Sequence, residues 1–292
     1  MIGATYARPD TLDDALERLA GGGAQLLAGG TALTLLRKQG LVARGPTIDL
    51  GAIPGLDAIA EEADGRLVIG ATATLRSIET SRVVRRLAPV LADVVGRVAT
   101  VRIRNQATIG GNLVHADPAQ DPPPILLVLD AEVEIAGPGG RRRVPLDGFF
   151  VDVFETVLRP DEILTAIRVP PVAPTSRAGF EKFLPRTADD YATVSVAARL
   201  DLAADGSLGD ARIALGSAAA VPLRVPAAEA ALRGGSPSQA RIAAAADAVM
   251  AAVDPIDDVR GSADYKREMT GVWTRRLLQA LTGFRPTPGG SA

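Results

Sequence analysis

Apolar and polar positions recur along this chain with two periods, and the switches between them lay out its elements. Leu12, Ala15, Leu16 and Leu19 fall at helical spacing behind Thr11, with Asp14 at the capping-box position, and Gly21-Gly22-Gly23 stops the run. Gln25 to Ala28 reads as a short strand. A Gly29-Gly30 turn follows, then a helical run with Leu33 and Leu36 on one face and Thr31 as its N-cap. Pro46 to Leu50 is the next strand, and 55–71 reads as two strands hinged at Asp64-Gly65. Helical periodicity starts at Thr74 and continues from Arg82 to Val98, where Val84, Leu87, Leu91, Val94 and Val98 share a face. Thr100 to Arg104 alternates as a strand would, with Arg102 and Arg104 on one, solvated side.

Further on, Pro122-Pro123-Pro124 opens a helix that runs to Leu129, since proline is tolerated in a first turn; Asp121 then stands at a helix N-terminus. Ala131 to Ala136 and Arg141 to Leu146 form a hairpin around Pro138-Gly139-Gly140, and Glu162 to Val169 is another strand. Pro170-Pro171-Val172-Ala173-Pro174 marks the main domain boundary. Strands at 178–184, 193–202 and 211–217 come after it, then helices at 226–232, 239–253 and 263–281. In the last helix Tyr265, Met269, Val272, Trp273 and Leu277 share a face that reads as core.

Composition narrows the functional classes. A hydrophobic share of 47% and a charged share of 23% in 292 residues suit a globular chain with room for two cores. A formal charge of −2 without a long basic run argues against nucleic acid as a partner. No 18-residue uncharged apolar run occurs, and Arg8 and Asp10 occupy the place of a signal-peptide apolar region, so a cytoplasmic protein without membrane insertion is expected. The absence of cysteine excludes disulfides, a cysteinyl nucleophile, a thioether to any cofactor and any cysteine-ligated cluster on this chain. With a single histidine, no metal site is expected either. Of 32 basic residues only Lys38, Lys182 and Lys266 are lysine, a skew that reads as codon usage.

Chemistry concentrates between Thr108 and Asp121. There Thr-Ile-Gly-Gly-Asn-Leu-Val-His-Ala-Asp-Pro-Ala-Gln-Asp combines paired glycines, the only histidine, two carboxylates and an amide. Gly110 and Gly111 lack a Cβ, so positive φ and close approach to a bulky ligand are open to them. Asn112, His115, Asp117 and Asp121 supply the mixed donors and acceptors that hydroxyl-rich ligands require. Without lysine or arginine in the segment, a phosphate would have to be met by backbone amides. The turn at Gly29-Gly30 offers such amides at a helix start, where the dipole adds about 0.3–1 kcal/mol for an anion. It is neither a Walker A loop nor a G-x-G-x-x-G turn.

Ala28-Gly29-Gly30-Thr31-x-Leu33, followed some eighty residues on by Thr108-Ile109-Gly110-Gly111-Asn112-Leu113-x-His115-Ala116-Asp117-Pro118-Ala119-x-Asp121-x-Pro123, resembles the FAD-binding (medium) subunit of the molybdenum hydroxylases, the carbon monoxide dehydrogenase and xanthine dehydrogenase family. The resemblance runs from Tyr6-Ala7-Arg8-Pro9 to about Leu281. It implies an α+β fold: a two-lobed FAD-binding domain over 1–175, with a small α/β lobe at about 1–54 and a larger mixed lobe at 55–175. A C-terminal α+β domain with a three-stranded antiparallel sheet and helices would cover 176–284, and 285–292 would be a fraying tail. It further implies FAD contacts from Ala28, Gly29, Gly30, Thr31, Ala32, Leu33, Thr34 and Leu35, and from Thr108, Ile109, Gly110, Gly111 and Asn112. Asp121 as a hydroxyl acceptor and Leu164 complete what the resemblance carries over, together with Tyr191 of Asp190-Tyr191-Ala192, which would lie near the isoalloxazine; His115 and Asp117 join the cofactor-binding set on their own donor and acceptor chemistry. Some relatives place a lysine after an aromatic in the preceding strand, whereas here Lys182 comes before Phe183.

The same resemblance implies partners: a small subunit with two [2Fe–2S] clusters and a large molybdopterin subunit, in a dimer of heterotrimers that passes electrons to NAD, a quinone or oxygen. No catalytic acid–base pair, triad or metal set can be assembled from the residues, which fits a chain whose substrate is electrons. For His115, a hydrogen-bonding role is favoured over proton transfer, since no serine or cysteine dyad accompanies it. Two alternatives stay open: a self-contained flavin oxidase or dehydrogenase of a small alcohol or sugar, and a non-catalytic nucleotide-binding scaffold.

Overall fold

The computed structural model describes residues 6–43, 45–184, 187 and 190–284; the expected tail at 285–292 lies outside them. Contacts divide the chain into two units, Met1–Ala116 with Asp130–Pro171, and Asp117–Leu129 with Val172–Ala292. The chain is mixed α+β, as its patterning requires.

The first unit opens with β1 (Tyr6–Ala7), α1 (Leu12–Ala20), β2 (Gln25–Leu27), α2 (Thr31–Lys38) and β3 (Thr47–Asp49). β3 lies between β1 and β2 and is parallel to both, the arrangement that helical crossovers impose. Thr11 caps α1 as its position predicts, its hydroxyl accepting from the Asp14 N–H at 3.2 Å. Ala15 and Leu19 of α1 bury against Ile48, Leu50, Ile53 and Leu56, the core of this small lobe.

A second sheet follows. β4 (Ile59–Glu61) and β5 (Leu67–Gly70) are the two strands expected around Asp64-Gly65. Four short helices come next: α3 (Leu75–Thr80), α4 (Arg82–Leu87), α5 (Pro89–Gly96) and α6 (Val101–Arg104). The continuous helix expected over 82–98 breaks at Ala88, because Pro89 has no N–H to donate and disfavours helical backbone in the residue before it. Thr100 to Arg104 is helical, not the strand its alternation suggests. Arg104 decides this, donating to the Val98 and Ala99 carbonyls at 3.0 and 2.9 Å and to Glu79 at 3.0 Å, so that the segment winds up around its own guanidinium. Four alternating residues are too few to outweigh such local bonds.

α7 (Ile109–His115) ends the first stretch of the unit. After the excursion into the second unit come β6 (Glu132–Gly137), β7 (Gly140–Pro145), β8 (Phe150–Asp152), β9 (Glu155–Thr156) and β10 (Ile163–Val169). The large sheet runs β4-β5-β10-β6-β7, antiparallel throughout. Its middle strand β10 is buried at every residue. Arg168 is accommodated there by ion pairs with Glu62 and Glu134.

The second unit consists of α8 (Pro122–Val128), β11 (Ser176–Phe183), β12 (Val194–Leu202), β13 (Leu208–Gly216), β14 (Leu223–Arg224), α9 (Pro226–Leu232), α10 (Gln239–Ala252) and α11 (Ala263–Thr282). The antiparallel sheet β11-β12-β13-β14 gains a fourth strand beyond the three expected, two residues long and so without a readable period. α11 buries Lys266, Thr270, Thr274, Leu277 and Leu278, whereas Tyr265, expected on the core face, is 42% exposed. The threonines can face inward because their hydroxyls return to the carbonyls one turn back, at 2.7 and 2.8 Å.

Glu162 precedes β10 and anchors the edge hairpin. Arg142 grips its carboxylate at 2.8 and 2.7 Å, and the Arg159 N–H adds a bond at 2.9 Å. The Arg142 guanidinium above all, with the Arg159 N–H behind it and against the effect of burial, holds the Glu162 carboxyl down from 4.5 to about 2. A depressed carboxylate stabilises the folded chain fully above its unfolded value and loses that contribution as pH falls toward the folded one. In urea unfolding, wild type and Glu162→Gln should therefore differ most above pH 4.5, with the gap closing toward about pH 2; a gap that stays constant across the window would contradict this role.

Candidate functional site

The first glycine turn is made by β2 and α2. Leu26 and Leu27 pair β2 with Ile48 and Asp49 of β3, and the chain then turns through Gly29 and Gly30. Gly30, with φ 68°, takes the left-handed conformation that favours glycine and is itself the N-cap of α2. Thr31, expected as the cap, is the first helical residue instead, so no side chain bonds to the start of this helix. The N–H groups of the first turn lack intrahelical partners and remain available to a ligand.

The second glycine turn lies directly against the first. A Cβ on Gly29 would stand 1.9 Å from the Gln106 carbonyl oxygen and 3.0 Å from the Ala107 Cα, so main chain meets main chain with no room for a side chain. Thr108 caps α7, its hydroxyl accepting from the Gly111 N–H at 3.1 Å. The Ile109, Gly110 and Asn112 amides bond to the Ala73, Ala71 and Thr108 carbonyls at 3.0, 2.8 and 2.9 Å.

Gly110 and Gly111 therefore sit in a helix and not at positive φ, contrary to expectation. Crowding is the reason for a glycine at 110, where a Cβ would come within 2.6 Å of the Ala71 carbonyl. The two sites thus divide the work: the first keeps amides open, the second spends its own on seating α7 against residues 71–73.

Between the turns is a cleft of about 380 Å³. Ala28 and Gly29 line it from the first turn and Gln106 and Thr108 from the second, with Thr72, Thr74, Asp57 and residues 51–54 closing the sides. None of these described lining residues is lysine or arginine. A phosphate in the cleft would be held by main-chain N–H and hydroxyl groups, with Asp57 set to accept from a sugar hydroxyl. The residues present fit the polar middle of a dinucleotide such as FAD. Sequence reasoning missed Thr72, Thr74 and the 51–57 loop; the Asp49-x-Gly51 turn, in which Asp49 accepts from the Gly51 N–H at 2.9 Å, was the available signal for the loop.

His115 closes α7 and stacks on Phe154, with ring centroids 5.1 Å apart. Phe154, at φ 61°, donates its N–H to the Ala116 carbonyl at 3.0 Å, which pins the β8–β9 tip to the end of this helix. Leu164 is buried in β10 beside a register shift between 164 and 166. Leu35, by contrast, lies on the open side of α2, 53% exposed.

In the second unit, Asp117 accepts from the Ala119 N–H at 2.9 Å and Asp121 stands at the start of α8, as its triproline predicts. Asp121 is almost fully buried and bonds to the Lys182 ammonium at 2.7 Å, with side chains only 4% and 5% exposed. The departure in sequence around Lys182 thus still delivers its charge to Asp121. Lysine scarcity was the missed signal, since two of the three lysines, Lys182 and Lys266, are buried in ion pairs. Tyr191 belongs to the same unit. Partial burial pushes its hydroxyl above the usual tyrosine value, the Asp117 carboxylate adds to this, and Arg260 opposes it.

Residues 2–172 match the family described as the FAD binding domain in molybdopterin dehydrogenase, and residues 180–281 match the CO dehydrogenase flavoprotein C-terminal domain. The carbon monoxide dehydrogenase medium chain of Hydrogenophaga pseudoflava is 35% identical over 94% of this chain and 96% of its own length. The putative xanthine dehydrogenase FAD-binding subunit of Escherichia coli is 31% identical over 94% of both chains. A solved structure of the Hydrogenophaga pseudoflava carbon monoxide dehydrogenase superposes with a TM-score of 0.92 at 37% identity, covering 96% of this chain and 97% of that one.

Because the two turns touch through Gly29, Gly29→Ala must push them apart. It should destabilise the chain by about 1–3 kcal/mol, while Gly139→Ala, whose Cβ meets nothing within 4 Å, should leave thermal unfolding unchanged. Equal melting of the two variants would show that the contact is not tight.

Proposed function

This chain belongs to the FAD-binding flavoprotein family of the molybdopterin dehydrogenases, and on that premise we propose that it is the electron-transfer subunit of a molybdenum hydroxylase complex. It is an oxidoreductase subunit that binds FAD. In the proposed complex it receives electrons from the [2Fe–2S] clusters of a small subunit, fed by a large molybdopterin subunit. It passes them to NAD, a quinone or oxygen, within a cytoplasmic dimer of heterotrimers. Among the described residues no helix is long and apolar enough to cross a membrane.

The observation that carries the reading is the uncapped start of α2 beside a cleft with no lysine or arginine in its lining. Bound FAD supplies the redox chemistry. The chain's own part is to hold and orient it: the 28–35 turn takes the pyrophosphate through its N–H groups, and the 108–112 segment, seated by its own amides, borders the ligand. Asp121, fixed by Lys182, accepts from a hydroxyl. Asn112, His115, Asp117, Leu164 and Tyr191 border the remainder, Tyr191 beside the flavin ring. On this reading 1–175 is the two-lobed flavin domain and 176–284 its C-terminal companion. Relatives named for carbon monoxide and for xanthine match the chain over nearly all its length, which supports placing the choice of organic substrate on another subunit.

The full chain mixed with FAD should turn yellow and retain the flavin through gel filtration. Asp121→Ala should weaken binding about ten- to a hundredfold, the loss of one buried hydrogen-bonding partner of about 1–3 kcal/mol. A folded chain that stays colourless in excess FAD would end the proposal.

A further inference from the structure

Tyr191 is held by a relay of charges that the flavin reading does not use. The Arg260 guanidinium carbon lies 5.4 Å from the centre of the Tyr191 ring, within reach of a cation–π contact. Arg260 is itself fixed by Asp258, whose carboxylate accepts from the Arg260 backbone N–H at 2.7 Å and from its guanidinium at 3.3 Å. The Asp258 carboxylate is anchored in turn by Lys266. This lysine is 3% exposed in its side chain, 2.8 Å from the carboxylate, and donates also to the Ile256 carbonyl at 2.8 Å. Reciprocal backbone bonds between Asp258 and Gly261, both 3.1 Å, close the turn that carries Arg260. Thr193, two residues past Tyr191, donates its hydroxyl to the Arg260 carbonyl at 3.5 Å.

These contacts run one way, from a buried ammonium in α11 out to a tyrosine that keeps 42% of its surface exposed. Such a chain does little for the core, since Arg260 and Tyr191 both lie at its outer end. It does fix the plane of one ring. A guanidinium against one face leaves the other for a flat partner, and rings stack best when neither is free to tilt.

We propose that Arg260 is a positioning residue for Tyr191, clamping its ring through the Lys266–Asp258–Arg260 relay so that the ring presents a fixed stacking surface to a planar ligand. This rests on the flavin reading for the identity of that ligand but not for the clamp itself.

The test uses the full chain with ring-labelled tyrosine. The sequence has three tyrosines, so Tyr191→Phe assigns the signal of interest. Without ligand, Arg260→Ala should shift and sharpen the Tyr191 ring resonance while Arg260→Lys, which keeps the cation, retains part of the wild-type position. An unmoved resonance in Arg260→Ala overturns the clamp whether or not the chain takes flavin. In the FAD-loaded chain, Arg260→Ala should raise flavin fluorescence about two- to threefold through looser stacking, with Arg260→Lys between. The dissociation constant should change less, because the pyrophosphate grip is untouched. Wild-type emission in Arg260→Ala, where Tyr191→Ala brightens it, overturns the proposal. Failure of the wild-type chain to take FAD counts against the functional reading alone, and the ligand-free resonance then decides the clamp.

Discussion

The contact on which the first unit's site depends is one of bare backbone. Gly29 rests on the Gln106 carbonyl so closely that a single methyl would have to occupy the same space, and this approach brings the two glycine turns to the edges of one cleft. Next to it Gly30, in the left-handed conformation, caps α2 without a side chain, so the first N–H groups of that helix are left without an intrahelical partner. With no lysine or arginine in the described lining, an anion in the cleft would have to be met by main-chain dipoles, which need no side chain to move.

The second unit solves a different problem with buried ions. Lys182 with Asp121, and Lys266 with Asp258, are pairs whose ammonium groups are nearly sealed from water. Such pairs are costly to desolvate and contribute little net stability, but they fix groups in place. One carboxylate held is Asp121 itself; the other, Asp258, fixes Arg260 beside Tyr191. Arginine serves in forked pairs, such as Arg142 with Glu162 and Arg224 with Glu229, and also in the buried strand β10, where Arg168 meets Glu62 and Glu134. The lysine skew, which composition alone suggested was codon usage, therefore carries a structural message at two of its three positions.

Errors in reading the chain share a cause. The strand expected at Thr100 to Arg104 is a helix because Arg104 bonds to carbonyls five and six residues back, and the helix expected from 82 to 98 is two helices because of Pro89. Gly110 was expected to be free in φ and is instead crowded by Ala71, a residue nearly forty positions away. Periodicity reports which face is buried. It does not report what a particular side chain or missing side chain will meet there.

The sequence by itself determined the order of most elements, the cap at Thr11, the helix after Asp121, the hairpin around Gly139 and the family, since these rest on local propensity, short-range turn chemistry or a motif of fixed spacing. It also pointed to both glycine turns and to Asp121. Only the tertiary structure decided that the turns touch, that one of them leaves its first amides without an intrahelical partner while the other spends them, that Lys182 meets Asp121 and that Arg260 lies over the Tyr191 ring. These are pairings across dozens of residues, fixed by how sheets and helices pack, and one chain read in order contains no measure of that distance.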